Sequence, residues 1–133
     1  MSKFILHLDD EAAIRQVSTE TLQRHGFVVE TAVDGVDGLA KFRARPGSIS
    51  AVVTDIMMPR MNGYEMARNI MQLDPAVPII ASSGMAGDSQ VDTSEAGLAK
   101  FGIRTLLLKP YDEIDLLEAL AKAYQGSVPQ KKG

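Results

Sequence analysis

The chain has 133 residues, 45% of them hydrophobic and 23% charged, which suits one domain with a core of its own and leaves no room for a second. A formal net charge of −3, with 14 Lys and Arg scattered rather than clustered, argues against direct nucleic-acid binding. There is no cysteine for disulfides or thiolate metal sites, and no run approaches the roughly 20 apolar residues of a membrane span.

The opening "MSKFILHLDDE" holds one short apolar run, "FILHL" at 4–8, ahead of three acids. It is too brief for a signal-peptide core of about 7–15 residues, so a cytoplasmic protein is expected. The run reads as a first strand. Ile14, Val17 and Leu22 mark a face of the helix after it, which Gly26 ends. A second strand, "FVVETA" at 27–32, precedes a helix capped by Asp34 and carrying Val36, Leu39 and Phe42. "AVVT" at 51–54 is a third strand. A helix from about Gly63 follows, with Met66, Ala67, Ile70 and Met71, and Asp74-Pro75 ends it. "PIIAS" at 78–82 is the fourth strand, and the segment after it, "GDSQVDTSEAGLAKFG", has few apolar residues and is interrupted by Gly97, so mobility is expected there. "TLLL" at 105–108 is the fifth strand. Beyond Asp112, Ile114, Leu117, Leu120, Ala121 and Tyr124 form a stripe. The pattern predicts a domain over 1–125 and a disordered polar tail over 126–133.

Five β-α repeats, with Val- and Ile-rich strands lacking strict polar alternation, predict an α/β three-layer sandwich whose parallel sheet is covered on both faces. In such sheets ligands bind along the edge where the strands end. Four of the five ends carry chemistry: Asp9, Asp10 and Glu11; Asp55; Ser82, Ser83 and Gly84; and Lys109-Pro110. Two carboxylates about 5 Å apart repel by roughly 3 kcal/mol at an effective dielectric near 20, so Asp9, Asp10 and Asp55 together imply a counter-charge. Carboxylate oxygens without His or Cys suit a hard ion, Mg²⁺ being the natural candidate. Singly, each feature has an ordinary reading: a strand-end acid as turn former, "DDE" as an acidic helix start, Lys109 as a surface lysine. Those readings do not account for all of them meeting on one edge. His7, inside a strand, is expected to be a hydrogen-bonded core residue, and His25 to close a helix.

With "DDE" at 9–11, "DIMMPRMNG" at 55–63, "SSG" at 82–84 and "KP" at 109–110 in order between helices of matching length, the sequence resembles a receiver domain of the two-component response-regulator family over residues 3 to 125. The resemblance implies a flavodoxin-like fold with a five-stranded sheet of order 2-1-3-4-5 and five helices. It implies a phosphorylated signalling module rather than an enzyme, in which Asp55 takes a phosphoryl group from a histidine of a sensor histidine kinase or phosphotransfer protein. Asp10 and Asp55 would bind Mg²⁺ directly, Asp9 through a water, and the Met57 carbonyl would complete the protein ligands. Ser83 would bond the new phosphate, and Lys109, preceding a cis proline, would pair with it. A downstream protein target is implied, with the chain a monomer or a weak phosphorylation-dependent dimer. Many receivers carry Tyr or Phe three residues before that lysine, but here the position is Leu106. Signalling is therefore expected to run through Ser83 and the loop "GMAGDS" against the fourth helix.

"PIIASSGMAG" and "LLLKPY" also resemble receivers of hybrid histidine kinases, so a receiver excised from such a kinase or a phosphorelay is an alternative. A Mg²⁺-dependent aspartate-nucleophile phosphatase is a weaker one, since "DDE" replaces the D-x-D such enzymes carry and no cap fits the length. A flavin or nucleotide binder would need a glycine- and hydroxyl-rich loop where the acids stand.

Overall fold

The computed structural model describes residues 4–56, 61–84 and 95–127. Strands and helices alternate: β1 (Phe4–Leu8), α1 (Ala12–Arg24), β2 (Val28–Ala32), α2 (Gly35–Ala44), β3 (Ile49–Asp55), α3 (Gly63–Leu73), β4 (Ile79–Gly84), α4 (Glu95–Ala99), β5 (Ile103–Lys109) and α5 (Glu113–Ser127). All neighbouring strands are parallel, in the order β2-β1-β3-β4-β5, the arrangement that the sequence implied. Asp55 thus closes the middle strand.

Strand parity sorts the core into two layers. Ile5, Ala51, Val53, Ile80 and Leu107 pack with Leu22 of α1 and with Leu116, Ala119, Leu120 and Ala123 of α5. Their chain neighbours Leu6, Leu8, Val52, Ile79 and Ala81 pack on the other side, with Leu39, Phe42, Met66, Ala67, Ile70 and Leu98. Because both faces are covered, apolar side chains suit consecutive strand positions, and alternation disappears from the sequence.

The helix ends follow local chemistry. Gly26, at φ 87°, and Phe27 donate to the carbonyls of Gln23 and Leu22, a Schellman closure that needs a residue tolerant of left-handed backbone. Asp34 accepts from the Asp37 amide at 2.8 Å. At α3, Asn62 and Glu65 form a reciprocal capping box, a signal the apolar pattern did not reveal.

Helix faces differ from the expected stripes in phase. In α5 the inward positions are Leu116, Ala119, Leu120 and Ala123, while Ile114 is 64% exposed. Two of those four are alanines, which add little to a count of apolar side chains. α1 buries Ser18, Thr21 and Leu22 and leaves Val17 63% exposed. α2 turns Gly35 and Gly38 inward and Val36 outward. α5 continues through Ser127. Of the segment after β4 where mobility was expected, residues 87–94 lie outside the described residues, whereas Glu95–Ala99 forms the short helix α4 and buries Leu98. The tail beyond residue 127 also lies outside them.

Candidate functional site

β1 ends one residue before Asp9, which is 1% exposed although it carries a carboxyl group. Its Oδ1 accepts the Glu11 amide at 2.9 Å, the turn an aspartate makes two residues before a helix starts. Its backbone carbonyl accepts from Arg15 Nη1 at 2.6 Å. Asp10, next along, is exposed. On the adjacent strand Asp55 is 5% exposed. Carboxylate oxygens of Asp9, Asp10 and Asp55 lie within 4.8 Å of one another.

Lys109, the last residue of β5, bridges the two buried acids. Its Nζ donates to Asp55 Oδ2 at 2.9 Å and stands 3.0 Å from Asp9 Oδ2, with Glu11 further out at 3.8 Å. Three clustered carboxylates against one ammonium leave a formal excess of two negative charges, the deficit a divalent ion would cancel. Burial pushes the Asp55 carboxyl above its ordinary range, even against the stabilising hydrogen bond and charge of Lys109. Burial acts on Lys109 in the opposite sense, but hydrogen bonds and charge from Asp55 and Asp9 prevail and hold its ammonium well above the usual lysine range. The Lys109-Pro110 peptide is cis.

Ser83 is buried on β4, one step beyond the Asp55–Ser82 register pair and opposite Leu108. The strand register therefore brings Ser83 to the edge that holds Asp55 and Lys109. Met57 lies outside the described residues. The site has a tight floor: the Gly63 amide donates to the Ile56 carbonyl at 2.7 Å, and a Cβ on residue 63 would clash with the Asp55 carbonyl oxygen. Leu106 is half-buried against the core layer on the α2–α3 side of the sheet, as are Tyr64 and Phe101, whose ring centroids lie 4.6 Å apart.

His7 is buried as expected, but its Nδ1 finds no hydrogen-bond partner among the described residues, and burial lowers its pKa to about 4. Sequence reasoning missed Arg15 and Tyr111. Arg15 lies one helical turn after Glu11, a spacing that returns a long side chain to the strand end. Tyr111 follows Pro110, and its hydroxyl meets Ser18 Oγ at 2.9 Å, joining the β5–α5 turn to α1. Beside these residues runs a groove of about 520 Å³ with apolar walls from Ala13, Ile14, Val17, Pro110 and Tyr111, lined also by Glu11, Ser18 and Lys109.

The profile of the response regulator receiver domain matches residues 5–121. The chain is 34% identical over 124 residues to the chemotaxis protein CheY of Bacillus subtilis, covering 92% of this chain and 98% of that protein. It is 43% identical over 88 residues to protein-glutamate methylesterase/protein-glutamine glutaminase 1 of Anaeromyxobacter dehalogenans, covering 65% of this chain but spanning only 24% of that protein's length. Among solved structures, a CheX-CheY-BeF₃-Mg²⁺ complex from Borrelia burgdorferi superposes with a TM-score of 0.78 at 27% identity, covering 89% of this chain and 86% of that one.

Proposed function

The chain belongs to the response regulator receiver domain family, and on that footing we propose that Asp55 is its phosphoacceptor, charged from a phosphohistidine with Mg²⁺ present. A carboxylate oxygen of Asp55 attacks phosphorus, the P–N bond breaks, and its electron pair returns to the leaving imidazole. Lys109, already hydrogen-bonded to Asp55, redirects an ammonium N–H to a phosphate oxygen, and the Ser83 hydroxyl donates to another. The observation that carries this reading is the bridging of Asp55 and Asp9 by Lys109 at 2.9 and 3.0 Å, with Asp10 in the same cluster.

Asp10 and Asp55 would hold Mg²⁺ directly and Asp9 through a water, with the Met57 carbonyl as the further donor that the family resemblance implies, and the clustered carboxylates suit such an ion. The ion, when bound, offsets carboxylate repulsion and the charge of the incoming phosphoryl group. The related Borrelia burgdorferi complex, solved with BeF₃ and Mg²⁺, supports the same assignment.

The apolar groove bordering Lys109 supports a partner of particular chemistry: a helix that presents the phosphohistidine, as in a sensor kinase or phosphotransfer protein. Its walls, the start of α1 and the β5–α5 turn, lie beside the acids, so a helix seated there brings its histidine to Asp55. A cytoplasmic location and a downstream protein target complete the proposal. No helix among the described residues is long and apolar enough to cross a membrane.

Intact-mass analysis after exposure to a small phosphodonor tests the chemistry. One phosphoryl adduct is expected, dependent on Mg²⁺ and abolished in Asp55→Asn; an adduct that survives the substitution places the acceptor elsewhere.

A further inference from the structure

Asp10 is exposed, and no other described residue holds its carboxylate by a hydrogen bond, so its aim is set by the backbone behind it. That backbone has left the sheet. The last ladder pairs of β1 are Leu8 with Ala32 and with Thr54, and only a long Asp9 amide bond of 3.3 Å to the Ala32 carbonyl follows. The Asp9 side chain is tied by the Glu11 amide and by Lys109. The peptide joining Asp9 to Asp10 is tied by Arg15, whose Nη1 donates to the Asp9 carbonyl at 2.6 Å.

We propose that Arg15 is a positioning residue: by gripping the Asp9 carbonyl it fixes the Asp9–Asp10 peptide plane and thereby the spacing at which the two acids meet a divalent cation. The inference rests on the reading of the site given above. Its logic is that of supports behind metal ligands, whose loss typically costs ten- to hundredfold in affinity. A guanidinium suits the task because it is planar, always charged and rigid, so one short bond constrains both distance and direction.

Electrostatics alone makes the opposite prediction. Arg15 carries a positive charge near a cation site, so as a bystander its removal would strengthen Mg²⁺ binding, whereas loss of positioning weakens it. The sign of the change separates the two.

The test is calorimetric Mg²⁺ titration of the full chain, unphosphorylated, as wild type, Arg15→Met and Arg15→Lys, with circular dichroism establishing that each is folded. Arg15→Met is expected to weaken Mg²⁺ about tenfold, and Arg15→Lys, which keeps the charge and one donor, to recover part of the loss. With a small phosphodonor, the half-saturating Mg²⁺ of Arg15→Met should rise in step while the rate at saturating Mg²⁺ stays within about twofold of wild type. Unchanged or tighter binding by Arg15→Met overturns the proposal and leaves the reading of the site intact. Should Arg15→Met not fold, Arg15→Lys decides alone, weaker binding supporting the proposal and wild-type affinity overturning it. Failure of the wild type to bind Mg²⁺ overturns both.

Discussion

Gly63 stands so close to Asp55 that a Cβ on residue 63 would press against the carbonyl oxygen of the acid. The contact involves backbone on both sides, so no rotamer change relieves it. Gly63→Ala should destabilise the fold by about 2 kcal/mol, the usual scale of overpacking, and should slow phosphorylation by shifting Asp55. Urea denaturation and adduct formation measure the two effects, and a variant of unaltered stability would show that the floor gives way freely.

Lys109 is the shared counter-ion of two buried acids. Lys109→Met leaves Asp9 and Asp55 facing each other uncompensated, and breaking such a pair costs about 3–5 kcal/mol. The loss should shrink when Asp9→Asn is added, because the second substitution removes the repulsion that the first exposes. A double-mutant cycle measured by denaturation reads this coupling, and strict additivity would mean that the ammonium does not link the acids.

His7 titrates in the unfolded chain near its ordinary 6.5 but in the fold only at about 4. Between those values the unfolded state takes up a proton that the native state refuses. The associated stability is fully present above pH 6.5 and is lost as pH falls to 4, by about 3 kcal/mol at 1.36 kcal/mol per unit. Comparing wild type with His7→Gln across pH 4 to 7 isolates this slope; parallel curves would locate the acid sensitivity in other groups.

Leu106 leaves no ring at the position where many receivers carry one, while Tyr64 and Phe101 stack between the start of α3 and the turn after α4. If signalling runs from Ser83 toward α4, binding of a beryllofluoride phosphoryl mimic should move amide resonances across residues 84–101. Phe101→Ala should reduce those shifts at least twofold. Resonances that stay put in that segment would exclude this route.

The fold was legible because burial on both faces of a parallel sheet leaves uninterrupted apolar runs, and because Gly26, Asp34 and Asp74 punctuate the helices. The site was legible for a related reason: the strand ends share one edge, so Asp9, Asp10, Asp55, Ser83 and Lys109 could be assigned to one neighbourhood without knowing any distance. Helix faces were harder. Where Ala119, Ala123, Ser18 or Gly38 does the packing, hydrophobicity is a poor guide, and Val17 and Ile114 mark surface instead. Arg15 and Tyr111 stayed hidden because what matters in each is a single hydrogen bond, one to a backbone carbonyl six residues back and one to a helix far away in the chain, and composition and periodicity register neither.

The sheet order has a mechanical consequence. β3 is clamped between β1 and β4, whereas β5 has a neighbour on one side only. A pull between Asp55 and Lys109 is therefore applied across a stiff member and a compliant one, and the strain is relieved by the outer strand. Any displacement at the site would therefore be taken up at the edge that β5 forms, next to β4 and Ser83, rather than in the middle of the sheet.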